Sequence, residues 1–99
     1  MTSGFVGILT VELHFPEAGS LKGKRKFVKS AKAQLQNRFG ASVAEVDHHD
    51  LWQRSRLMMA CVARDHNEAA QLLEEAVRYL NSQEYELVRV ERDVVGPGD

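Results

Sequence analysis

The 99-residue sequence predicts an α+β sandwich: a four-stranded antiparallel sheet with two helices on one of its faces. Three observations predict it. Four stretches alternate apolar with polar residues or are apolar throughout, two stretches repeat apolar residues at helical spacing, and the six follow one another as β-α-β-β-α-β. That order is the split βαβ arrangement of ferredoxin-like folds, where right-handed crossovers put both helices on one face and make the first and third strands central.

Phe5 to Phe15 is the first expected strand, with Phe5, Leu9, Val11, Leu13 and Phe15 on its odd face. The even face begins with Val6 and Ile8 and ends with Glu12 and His14. Pro16, Glu17, Ala18 and Gly19 break the strand, and Ser20 is suited to cap a helix that runs to Phe39 and stops at Gly40. Phe27, Val28, Ala31, Leu35 and Phe39 form its apolar side. From Val43 to Arg56 two strands meet through a loop: Val43, Ala44 and Val46 give way to Asp47, His48, His49 and Asp50, then to Leu51 and Trp52. Arg56 to Arg64 is apolar on both faces, as a central strand should be. Asp65, with Glu68 three residues on, makes a capping-box start for a helix whose stripe is Ala69, Leu72, Leu73, Ala76, Val77 and Leu80. Glu84 to Val95 alternates again, with Val88 and Val90 expected opposite Leu87, Arg89, Glu91 and Asp93. Residues 1–99 are expected to be one domain, with 96–99 a flexible tail.

The topology has a consequence for function. The end of strand 1 (His14 to Gly19), the start of helix 1 (Ser20 to Lys24), the Asp47 to Gln53 loop and the start of strand 4 (Glu84, Tyr85) should share one edge of the sandwich.

Composition narrows the classes. An apolar fraction of 43% and a charged fraction of 27% are ordinary for a folded globular chain. No apolar run approaches the roughly 20 residues of a membrane span, and the first segment reads as a strand rather than a signal peptide, so no membrane partner is expected. The single cysteine, Cys61, lies in an apolar run and suits a reducing, cytoplasmic location. The net charge of −1 conceals a dipole: Ser20 to Gly40 holds seven basic residues and no acidic one, while Asp65 to Asp99 holds nine acidic and three basic. One surface is thereby offered to an anionic partner.

On helix 1, Lys22, Arg25, Lys26, Lys29 and Lys32 form one stripe without acidic partners at i,i+4. Lys24 points to the apolar stripe, either snorkelling at the sheet edge or directed into the shared end. Together Lys22, Lys24, Arg25, Lys26, Lys29 and Lys32 are the candidate anion- and nucleic-acid-binding set; the competing reading is a solvated lysine face. Gly19 to Arg25 is no phosphate-binding P-loop, because it has one residue too few between its glycines and Arg25 where a hydroxyl is required.

Asp47, His48, His49, Asp50, Trp52 and Arg54 are the candidate interaction loop. Adjacent histidines on an extended chain point oppositely and no HxH or HxxxH pair exists, so no metal and no cofactor is expected. Acid/base chemistry by His48 or His49 lacks a nucleophile with a histidine partner, which favours a non-enzymatic protein. Trp52 either packs under the loop, the commoner fate of a large apolar side chain, or stands out as an anchor. The sheet face away from the helices carries Val6, Ile8, Met58, Ala60 and Val62, more apolar surface than solvent contact needs, so a homodimer through this face or edge to edge is expected. The absence of aromatics there disfavours the RNA-binding mode of four-stranded RNA-recognition domains.

Ser20-Leu21-Lys22 followed by Lys24-Arg25, then Asn37-Arg38-Phe39, Val43-Ala44-Glu45-Val46-Asp47-His48 and Leu51-Trp52-Gln53 carry a resemblance over almost the whole chain. The sequence resembles the YlxP-like family of small bacterial proteins, whose function is unknown. It departs from that family at Gly23, more often acidic, and at His49, often another polar residue. The resemblance implies a ferredoxin-like fold, a bacterial cytosolic protein, and genes near those for translation initiation and ribosome maturation. It transfers no catalytic residue. The expected function is therefore a non-enzymatic, dimeric binding protein associated with RNA, the ribosome or the translation machinery; the alternatives are a small-ligand or catalytic site at His48, His49 and Asp50, and a dimeric protein-adaptor module.

Overall fold

The computed structural model describes residues 3–97. The elements are β1 (Phe5–His14), α1 (Leu21–Phe39), β2 (Ser42–Asp47), β3 (Arg54–Ala63), α2 (His66–Asn81) and β4 (Glu86–Val95). The strands form one sheet in the order β2-β3-β1-β4, every neighbouring pair antiparallel. This is the ferredoxin-like βαββαβ fold. Among the described residues, no helix is long and apolar enough to cross a membrane.

Local chemistry sets the helix ends. Ser20 Oγ accepts from the Gly23 N–H at 3.1 Å and Asp65 Oδ1 from the Glu68 N–H at 2.8 Å, so each helix begins with a satisfied donor. Gly40 ends α1 with φ of 60°, a left-handed conformation that costs a glycine little.

The buried faces follow the two periodicities. Leu9, Val11, Leu13 and Phe15 join Leu57, Met59 and Cys61 on one side of the sheet, beneath Val28, Ala31 and Leu35 of α1 and Leu73, Ala76 and Leu80 of α2. Phe15 stacks on Phe27 and meets Tyr85 edge-on, each with centroids 5.4 Å apart, closing the core at the end where β1 turns into α1. Burial pushes the Tyr85 hydroxyl up to about 12 and also raises the Cys61 thiol. At Gly7, a Cβ would stand 3.1 Å from the Leu73 side chain, so the glycine lets α2 approach β1 closely.

The sheet has two register shifts, the first of which corrects the expected faces. Between Glu12 and Leu13 the β1–β4 register slips, pairing Leu13 with Leu87 and Val11 with Val90. Leu87 therefore shares the inner face with Val90, whereas Val88 turns out and is exposed; one extra residue inverts the alternation that had grouped Val88 with Val90. A second shift falls between Glu45 and Asp47, at Val46, which alternation from Val43 and Glu45 already turns outward and which is exposed on the outermost strand. β3 begins two residues earlier than its apolar run, at Arg54, and β4 begins at Glu86 rather than Glu84. Of the expected tail, Gly98 and Asp99 lie outside the described residues, and the Gly96 backbone sits against the Phe5 ring.

Candidate functional site

One end of the sandwich gathers the segments that the topology brings together. The Phe15 N–H donates to the Gln53 carbonyl at 2.8 Å, and the Gln53 side chain reaches the Ala18 carbonyl at 3.4 Å. The β2–β3 loop is thereby tied to the end of β1 and the approach to α1.

The centre of this end is Lys24. It lies on the sheet side of α1 and is 2% exposed, and its ammonium is 2.9 Å from Glu45 Oε2 while donating to the His48 carbonyl at 2.5 Å and approaching the His49 carbonyl at 3.4 Å. Buried Ser55 adds its hydroxyl to the same Glu45 oxygen. Burial raises the Glu45 carboxyl, but the hydrogen bonds from Ser55 and Lys24 outweigh it and hold the group below its ordinary range. Lys24 is thus neither snorkelling nor part of an exposed anion-binding stripe: every donor it has is directed into the protein. Glu45 and Ser55 went unnoticed in the sequence. Their signal is alternation, since Val43 inward places Glu45 inward as well, and an inward carboxylate requires a cation.

A second cluster lies on the open sheet face. Glu12 Oε1 accepts from Arg56 through Nε at 2.9 Å and Nη2 at 2.5 Å, and lies 3.2 Å from His48 Nε2. Asp47 Oδ2 sits 3.3 Å from the same arginine, and Arg54 is 3.9 Å from Glu12 Oε2. The Arg56 guanidinium first, and the His48 ring second, hold the Glu12 carboxyl below its usual range. Asp47 is lowered mainly by the His48 backbone N–H, which donates to it at 2.7 Å. His48 itself has φ of 65°, unusual for a residue with a Cβ; the bonds to its N–H and its carbonyl hold it there.

His49 turns the other way, its Nε2–H donating to the Glu45 carbonyl at 3.2 Å. The two rings do not converge, and among the described residues no group of three or more His, Cys, Asp or Glu side chains could hold a metal ion. Leu51 and Trp52 stand out, 47% and 49% exposed, rather than packing under the loop.

Beside His49 opens a groove of about 690 Å³ between α1 and the β2 side of the sheet. Arg25, Lys29 and Lys32 line one wall; Glu45, His49 and Asp50 line the other. Lys22, Arg25, Lys26 and Lys29 are exposed and Lys32 half-buried, and among the described residues none of these five forms an ion pair. Trp52 and Arg54 are not among the groove's lining residues, so the expected interaction loop is divided between the groove and the open face.

Comparison with known proteins finds similar solved structures and a family. Among solved structures, the chain is similar to a Bacillus cereus protein provisionally assigned as an antibiotic biosynthesis monooxygenase, with TM-score 0.48 and 12% identity, covering 99% of this chain and 96% of that one. It is also similar to the de novo designed protein Ferredog-Diesel, with TM-score 0.39 and 20% identity over 92% of this chain and 87% of that one. Likenesses at this level transfer no chemistry. A relative in Bacillus subtilis (strain 168), the uncharacterized protein YlxP, is 30% identical over 77 residues, spanning 78% of this chain and 84% of the relative. Residues 6–92 match the family described as protein of unknown function, DUF503, and the chain belongs to that family.

Proposed function

We propose that this is a non-enzymatic binding protein that takes an anionic partner on the exposed flank of α1, in association with RNA, the ribosome or the translation machinery. The observation that carries this reading is the groove wall of Arg25, Lys29 and Lys32, continued outward by Lys26 and Lys22, none ion-paired among the described residues. Unpaired like charges on one helix face repel one another, and a bound polyanion relieves that cost. The translational setting comes from the family resemblance, and a reducing cytoplasm suits Cys61, which is buried and free. Crosslinking in cell extract at two salt concentrations tests it. Recovery of the partner should fall steeply at the higher salt and by roughly tenfold in a Lys26→Glu/Lys29→Glu variant. Recovery insensitive to both salt and charge reversal would end this reading.

A second copy is proposed to cover the open sheet face. Val62 there is 78% exposed and Met58 41%, and neither helix reaches this side. Sedimentation should give a dimer for the wild type and a monomer for Val62→Asp, because an unpaired carboxylate within an apolar interface has no compensating partner. A monomeric wild type at working concentrations excludes this assembly.

A further inference from the structure

The groove has a second property besides its charge: at Glu45 and His49 it reaches the open edge of the sheet. β2 pairs only with β3, and no backbone group of Ser42–Asp47 bonds elsewhere in the main chain among the described residues. In an antiparallel strand every second residue turns its N–H and C=O away from its neighbour, so β2 presents a row of outward groups. The His49 ring meets the Glu45 carbonyl and caps one end of that row. The strand carries no lysine and no proline, and the bulge between Glu45 and Asp47 confines its regular outward row to the residues before it.

A strand added beside β2 would lie about 4.8 Å from it, and its side chains on the helix side would project toward the wall formed by α1. Arg25, Lys29 and Lys32 follow one another at i, i+4 and i+7, giving rises of about 6 and 4.5 Å along the helix. Alternate side chains of an extended strand are about 6.7 Å apart. Three carboxylates at every second position of an added strand can therefore each meet one cation.

The same features weigh against RNA in this groove. Phosphates only accept hydrogen bonds, so the carbonyls of the edge would be left to 2′-hydroxyls and bases, whereas a peptide backbone supplies donors and acceptors in the strand's own register. No aromatic ring lines the groove for a base to stack on. Symmetric edge pairing with a second copy is disfavoured too. Joining β2 to β2 sets α1 beside α1, so that the Arg25, Lys29 and Lys32 wall of one copy faces the same cations of the other.

We infer that the groove receives an extended acidic segment of a partner protein, which adds to β2 as a fifth strand and places alternate carboxylates on Arg25, Lys29 and Lys32. The inference rests on the anionic-partner reading of α1 and specifies what carries the anion. Main-chain hydrogen bonds would supply affinity, and the cations would select for alternating acids.

The test uses four labelled probes on the full chain, read by fluorescence anisotropy. They are a short blocked peptide alternating glutamate with valine, the same peptide with lysine for glutamate, the glutamate peptide N-methylated at alternate residues, and a single-stranded RNA of equal charge. The glutamate peptide should bind roughly tenfold or more tightly than each of the others, and Lys29→Glu/Lys32→Glu should reduce its affinity by a similar factor. Binding should also slow exchange of the outward β2 amides, a readout that a purely ionic contact leaves unchanged. Equal binding of the N-methylated peptide would overturn the added strand while leaving the anionic-partner reading intact. RNA bound in preference to the peptide would do the same and assign the groove to nucleic acid. Self-association that persists in Val62→Asp and slows exchange of the outward β2 amides without peptide would give the edge to a second copy instead. If neither peptide nor RNA binds and the crosslinked partner is salt-insensitive, both readings fall.

Discussion

Lys24→Met is expected to lower stability by about 3 kcal/mol and the melting temperature by roughly 15 °C. The methionine keeps the apolar stem but leaves the Glu45 carboxylate, 18% exposed, without its cation, and removes the donor to the His48 carbonyl. The cost arises because a charge that remains buried after its partner is deleted keeps its desolvation penalty and loses its compensation. Adding Glu45→Gln should recover more than half of the loss, since the amide still accepts from Ser55 and carries no charge. Urea denaturation of the single and double variants measures this coupling directly. A single-variant loss below about 1 kcal/mol would mean that Lys24 does not anchor the loop. Amide exchange across the loop between β2 and β3 should quicken in the single variant, because its ties to α1 run through Lys24.

Glu12→Gln should cost about 1.5 kcal/mol near neutral pH, a value set by charge-assisted hydrogen bonds and reduced for partial solvent access. Glu12 is 14% exposed on its side chain and gathers Arg56, His48 and Arg54. Its folded pKa lies below the ordinary 4.5, so its contribution is fully present above that value and disappears as pH falls through the folded pKa. The stability gap between wild type and variant should therefore be constant above about pH 4.5 and close on further acidification. Denaturation curves of both proteins at matched pH isolate this effect from the other lowered carboxyls, Glu45 and Asp47, which both proteins share. A gap that widens in acid would contradict the assignment. Since Asp47 and His48 belong to the same cluster, the variant should also loosen the start of the loop on the open-face side.

The residues that were readable from sequence are those whose position repeats. Alternation along Phe5–His14 and the 3.6-residue stripe of His66–Asn81 each fix which side chains are buried, because one period admits one backbone geometry. Ser20, Gly40 and Asp65 mark helix ends through chemistry confined to a single turn. Chain order then set the strand order β2-β3-β1-β4 and hence the meeting of the His48 loop with the start of α1.

Where the local signal misled, an interaction between distant segments had the deciding role. Val88 and Leu87 exchanged faces because a bulge is fixed by how β4 pairs with β1, not by β4 alone. Lys24 falls in the candidate anion-binding set although its helical angle points to the apolar stripe, and Glu45 and Ser55, at sequence separations of 21 and 31, withdraw it from the surface. His48 and His49 do point oppositely, as adjacent residues of an extended chain should, but which partner each meets is not local: Glu12 holds one on the open face, and the Glu45 carbonyl holds the other at the groove. The sequence by itself therefore determined the elements, their order and the basic character of α1, since periodicity, capping and net charge are local sums. Only the tertiary structure decided which cations remain free and that they overlook an unpaired strand edge, because charge pairing and edge exposure depend on residues brought together from distant parts of the chain.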